Sequence, residues 1–129
     1  LGKLAKSLVS LREKVELMSA KYVVKETADG RYRFNLLTEN NENILTSTHL
    51  YKIKIEALIG IEKLKVNCRM DRNYKQYRSE ADQSYHFVLK AANDETLGMS
   101  EPYASQEGME VLIASVKRDG PIAPVVELI

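Results

Sequence analysis

The chain has 129 residues, 44% of them hydrophobic and 29% charged, with Gly 6 and Pro 3, which excludes a disordered, collagenous or fibrous protein and leaves room for one domain or two half-size units sharing a core. One cysteine, Cys68, excludes an intramolecular disulfide and a multi-cysteine zinc site, so the fold rests on packing. Lys plus Arg 19 against Asp plus Glu 18 gives a net charge of +1, and no apolar run approaches the roughly 18 residues of a membrane span, so no global property advertises nucleic acid or membrane as the partner.

In chain order, residues 1–20 read as an amphipathic helix outside the main fold. Leu1, Leu4, Leu8, Leu11, Val15 and Met18 follow alternating steps of three and four, the seam of a heptad helix, while Lys3, Lys6, Arg12, Glu13, Lys14 and Glu16 lie off it. The seam needs a cover, either the apolar surface around Ile53, Ile55, Leu58 and Ile59 or the same helix of a second chain, and self-association is the favoured reading. Met18 to Lys21 also read as a natural start, with the stretch before them an unusual extension, the end of a longer chain or the result of a misjudged start codon.

Tyr22 to Thr27 is then a strand closed by Asp29 and Gly30. From Tyr32 onward the sequence recurs: Tyr32, Phe34 and Leu36 are matched 53 positions later by Tyr85, Phe87 and Leu89, and Asn40, Glu42, Ile44 and Ser47 by Asn93, Glu95, Leu97 and Ser100. After one extra residue near His49 the offset is 52, pairing Tyr51 with Tyr103, Ile61 with Ile113 and Lys65 with Lys117. Within each half the period of two around Phe34 and Phe87 predicts strands, and Asn40–Asn41 and Asn93–Asp94 predict hairpin turns. Second hairpin strands follow, ending near Ser47 and at Thr96 to Ser100.

A helix comes next in each half. Ala57, Gly60, Ile61 and Leu64 form the first stripe, widened by Ile53, Ile55, Leu58 and Ile59; Met109, Leu112, Ile113 and Val116 form the second and should be buried on the sheet. Ser105 is the expected N-cap of the second helix, with Glu107 in its first turn, whereas Ile53 stands at the same place in the first half and cannot cap. The counterpart of the Tyr22 strand is expected at Lys75 to Glu80, with Tyr77 at the position of Val24. Gly120 and Pro121 end the second helix, and Ile122 to Ile129 reads as a last strand with Pro124 tolerable only at an edge or bulge.

The run Tyr85 to Asn93, followed by Ser100, Tyr103, the helix core Ile113 to Lys117 and the stop Gly120–Pro121, closely resembles the YegP-like family of small, mostly bacterial proteins, a domain of unknown function. The resemblance covers about residues 21 to 127. It implies an α+β fold: two tandem β3-α-β repeats, 21–73 and 74–129, sharing a single mostly antiparallel sheet in a pseudo-dimeric domain, with the C-terminal strand of each swapped into the other. Asp71 to Arg78 would finish one unit and begin the next. The chain departs from the family pattern at Asn41 and Asp94, where a turn glycine is usual, at Cys68 to Met70, which replace a proline-containing stop, and at Leu112, which replaces a glycine. No catalytic or binding residues come with the resemblance.

The residues add little chemistry of their own. His49, His86 and Cys68 share no ligand spacing, so no metal site is expected, and nothing joins Cys68 to a histidine as a nucleophilic pair. The glycines are scattered and form no phosphate loop. Tyr32, Arg33, Phe34 and Tyr85, His86, Phe87 invite a base-stacking reading, but the i, i+2 aromatics are expected in the core. Residues 1–70 hold 13 basic and 8 acidic side chains and residues 71–129 hold 6 and 10, which argues against a basic stripe running across both halves, although the first repeat alone could offer a patch. The expectation is an uncharacterised, non-enzymatic, cytoplasmic protein-interaction or self-assembling module without cofactor. Its partner would be a second copy or another protein, with neither membrane nor nucleic acid favoured. The alternative is a small ligand or single-stranded nucleic acid on the open sheet face.

Overall fold

The computed structural model describes residues 20–127. The predicted helix over 1–20 lies outside the described residues, except that Ala20, at its end, is non-helical and buried. Seven strands and two helices follow: β1 (Lys21–Glu26), β2 (Tyr32–Leu37), β3 (Asn43–Ser47), α1 (Lys54–Asn67), β4 (Tyr74–Arg78), β5 (Tyr85–Lys90), β6 (Thr96–Ser100), α2 (Gln106–Asp119) and β7 (Val125–Glu127). They form one sheet in the order β4-β5-β6-β3-β2-β1-β7, antiparallel throughout except where β7 runs parallel to β1. The expectation of an α+β chain with a single, mostly antiparallel sheet is met; of the two C-terminal strands expected to be exchanged, only β7 occurs among the described residues, because Asp71–Asn73 form a single 3-10 turn that leads straight into β4.

The local chemistry explains the hairpins. Asn41 and Asp94 take positive φ, 66° and 69°, the left-handed conformation that Asn and Asp tolerate best after glycine. Thr38 and Ala91 donate to Glu42 and Glu95 across these turns, and each hairpin carries a register shift, at Leu36/Leu37 and Leu89/Lys90. The paired serines also have matching work: Ser47 Oγ accepts from the Phe34 amide at 3.1 Å and Ser100 Oγ from the Phe87 amide at 2.9 Å. Tyr51 and Tyr103 bridge back to Tyr32 and Tyr85.

Both helices rest on one face. Phe34, Leu36, Phe87 and Leu89 are fully buried beneath Ala57, Ile61, Leu64, Met109 and Val116. Gly60 is glycine for a packing reason: a Cβ there would lie 2.5 Å from the Tyr51 hydroxyl and 3.1 Å from the Phe34 ring. Leu112 is only half-buried, because it flanks the stripe and borders a cleft shared with Ala20 and Ile44. Ser105 Oγ accepts from the Gly108 amide at 3.0 Å, as a capping serine should, and Ile53 makes no side-chain cap.

One expected register is corrected. Val24 pairs with Phe34, whereas Gln76, not Tyr77, pairs with Phe87. The loop Ser79–Ser84 is one residue longer than Thr27–Arg31, so the β1-to-β4 offset is 52 and Tyr22 corresponds to Tyr74. A one-residue slip exchanges the two faces of a strand, and it moves Tyr77 to the side away from the helices.

Candidate functional site: the sheet face away from the helices

The registers define a row of side chains crossing all seven strands on the face that no described helix covers: Val126, Val23, Asn35, Thr46, Met99, Val88 and Lys75. Period-two alternation places Lys21, Lys25, Arg33, His86, Lys90 and Tyr77 on the same side. With Lys75 of the row, Lys21, Lys25, Arg33 and Lys90 make five cations from both halves of the chain, and no strand residue on that face is acidic. Lys90 pairs with Asp94 in its own hairpin at 3.3 Å; among the described residues, Lys21, Lys25, Arg33 and Lys75 have no carboxylate within ion-pair distance. Glu101, just past β6, accepts from the Asn43 side-chain amide at 2.7 Å.

The face has relief as well as charge. Val23, Leu37 and Val126 lie in a depression of about 490 Å³ bordered by Lys21, Lys25 and Arg33. Toward the other edge Tyr77 and His86 stack, with ring centroids 5.2 Å apart and planes 19° from parallel, and Tyr77 and Met99 are 45% and 47% exposed. An apolar floor with a cationic border suits an extended, anionic occupant, because lysine and arginine can pack their stems while keeping their charges wet.

The opposite face holds a polar device of a different kind. Tyr22 Oη donates to the Gly120 carbonyl at 2.7 Å, and Tyr74 Oη donates to the Cys68 carbonyl at 2.6 Å. Each tyrosine thus satisfies a carbonyl at a helix C-terminus, and each ring carries a lysine above it, Lys65 over Tyr22 and Lys117 over Tyr74, both 5.6 Å from the centroid. Burial, then the neighbouring Cys68 and Tyr74, pushes the Tyr22 hydroxyl well above the usual phenol range; burial followed by Cys68 does the same to Tyr74. The Cys68 thiol is pushed up to about 11 by burial. These groups are neutral and occupied, which makes them packing chemistry.

The histidines and the cysteine that sequence reading singled out are not brought together. His49 meets Tyr51 edge-on, His86 stacks on Tyr77 across the sheet, and Cys68 is buried at the end of α1. Among the described residues no group of three metal-ligating side chains occurs. Phe34 and Phe87 are core, as expected, and Tyr32 and Tyr85 pack against it. The basic face was missed, although Lys21-x-Val23-x-Lys25 and Lys75-x-Tyr77 carry its alternating signal.

Comparison with known proteins agrees with this architecture. The family described as Domain of unknown function (DUF1508) matches twice, over residues 28–74 and 80–127. The UPF0339 protein PA0329 of Pseudomonas aeruginosa is 43% identical over 106 residues, covering 82% of this chain and 94% of that protein. The UPF0339 protein YegP of Escherichia coli K12 is 35% identical over 103 residues, 80% of this chain and 92% of YegP. The solution NMR structure of E. coli YegP, a protein of unknown function, superposes with a TM-score of 0.77 at 34% identity, covering 85% of this chain and 93% of that one. A UPF0339 protein of Shewanella oneidensis gives a TM-score of 0.79 at 32% identity, over 86% and 92%. With both halves matched and relatives aligned over most of their length, the chain belongs to the DUF1508 family, the YegP-like proteins of unknown function.

Proposed function

We propose that this chain is a non-enzymatic, cytoplasmic binding module whose working surface is the sheet face away from the helices, and that its partner is an acidic segment of another protein. The carrying observation is the asymmetry of that face, with five strand cations and no strand carboxylate in a chain of net charge +1. What supports a two-unit organisation, 21–73 and 74–129, is that β7 follows α2 yet pairs with β1, while the chain leaving α1 enters β4. A first unit closed by the last strand of the second, on a sheet that both share, makes a rigid platform, which suits recognition by pre-organised contacts.

The test is fluorescence anisotropy with a labelled glutamate-rich peptide. The peptide should bind, weaken as salt rises, and lose at least tenfold in affinity on the double substitution Lys25→Glu, Arg33→Glu. Unchanged affinity in that variant would sink the reading.

The Tyr77–His86 stack favours a second reading, single-stranded nucleic acid lying across the face with a base on the aromatic pair. In that case an oligothymidylate binds more tightly than the peptide, with a steep linear loss in log affinity against log salt, and Tyr77→Ala weakens it. The acidic peptide should be indifferent to Tyr77→Ala.

A further inference from the structure

We infer that β4 is a self-complementary edge through which two copies of this chain pair antiparallel, joining their sheets into one. This builds on the reading of the chain as an interaction module but uses the sheet edge instead of its face. The two ends of the sheet differ: the outer edge of β1 is covered by β7, whereas the equivalent edge of β4 has no neighbouring strand among the described residues.

The alternation of hydrogen bonds fixes which groups are free. Ser79 N donates into its own hairpin, to Ser84 O, so Lys75 and Tyr77 face β5 while Tyr74, Gln76 and Arg78 direct their backbone groups outward. The same parity holds in β1, where Tyr22 N donates outward to Pro124 O at 2.8 Å. In β4 the Tyr74 amide is already taken by the Asp71 carbonyl. A parallel strand added in the manner of β7 would lack its first hydrogen bond. An antiparallel copy centred on Gln76 needs only what is free: Gln76 exchanges both bonds with its counterpart, and each Arg78 amide donates to the other chain's Tyr74 carbonyl.

Side chains select the same register. Pairing about Gln76 sets Lys75 opposite the exposed Tyr77 on both sides of the axis, a cation facing an aromatic each time, and sets Arg78 beside the buried Tyr74, so that no two cations are opposed. Centring on Lys75 instead would oppose two ammonium groups. The charges that ordinarily protect an edge thus leave one register open. A two-fold axis perpendicular to the sheet keeps both basic faces on the same side, so the pair presents one doubled surface. Five residues per strand bury little area, which places the contact in the weak, concentration-dependent class.

Disulfide trapping on the full chain tests the register. Gln76→Cys should cross-link to itself under mild oxidation, because an antiparallel hydrogen-bonded pair holds Cα atoms about 5.5 Å apart. Lys75→Cys alone should not, whereas a mixture of Lys75→Cys with Tyr77→Cys should. Gln76→Pro, whose lost amide faces away from β5, should stay folded and shift sedimentation from a concentration-dependent dimer to a single chain. The inference is overturned if Gln76→Cys yields no more dimer than the exposed control Glu107→Cys. It is equally overturned if Gln76→Pro dimerises unchanged. Peptide binding at Lys25 and Arg33 is read independently, so a failed edge leaves the face standing and a failed face leaves the edge standing.

Discussion

At the scale of single residues the most consequential pair is Tyr22 and Tyr74, each reaching a helix-terminal carbonyl from a strand at the far side of the chain sequence or beside it. Removing either hydroxyl leaves a buried carbonyl unsatisfied, so Tyr22→Phe and Tyr74→Phe should each cost about 1 to 3 kcal/mol in the denaturant midpoint with an unchanged slope. The same cluster sets an alkaline limit. Cys68, Tyr22 and Tyr74 are acids whose folded pKa is raised, so between the unfolded and folded values the native state holds more protons than the unfolded one, and stability falls as pH rises. Loss should begin near pH 9, the ordinary thiol value, and for Cys68 run to about 11, an effect of about 2 to 3 kcal/mol when complete; the tyrosines extend it upward from about pH 10. Melts at pH 8 and pH 10.5 check this, with a smaller difference expected in Cys68→Ala. An equal midpoint at both values would show that the cluster opens to solvent. Tyr22 was legible in the sequence as a strand residue but its partner was not, because nothing local connects positions 98 residues apart.

At the scale of elements, the start of α2 was legible from local chemistry, whereas Leu112, expected in its buried stripe, is only half-buried. Ser105 was recognisable as a cap since its chemistry needs only the next three residues, and Ser105→Ala should cost about 0.5 to 2 kcal/mol. The uncapped α1 offers the reverse experiment: Ile53 is 52% exposed and has extended φ and ψ, so Ile53→Asp should gain stability, by about 1 kcal/mol, from a cap bond and the helix dipole together. A lower midpoint in that variant would mean that the Ile53 side chain is covered in the full chain. The strands show where sequence reading stops. Repeat alignment cannot tell a five-residue connection from a six-residue one when both are polar, so the expected register of β4 is off by one and Gln76, not Tyr77, takes the position of Val24. Charge summed by halves failed for a related reason. The acids of the second half, among them Asp94, Glu95, Glu107, Glu110 and Asp119, sit in a turn, just before a strand and on α2, while two of its three strand cations, Lys75 and Lys90, face the same way as Lys21, Lys25 and Arg33 of the first half.

At the scale of the whole molecule, the two halves share one sheet and one core. β3 and β6 pair at the centre of the sheet, β7 returns to β1, and α1 packs on strands of both halves. Contacts that close the first half therefore belong in part to the second, so dividing the chain should not yield two small domains. A fragment of residues 20–73 keeps β1 to β3 and α1 but loses β7, the acceptor for Tyr22 at Gly120, and the strands β5 and β6 on which α1 also rests. It exposes β3 as a bare edge and opens one side of a core that, at this size, has no surplus stability to lose. Two outcomes are physically open to it: it stays unfolded, or it dimerises to rebuild the central β3–β6 pairing from two identical strands. Sedimentation and amide resonance dispersion separate these from the remaining case. The fragment should either show collapsed dispersion or sediment as a dimer with dispersed amides, whereas a folded monomer would mean that the first half carries a self-sufficient core and that the interlocking of the halves is incidental to stability.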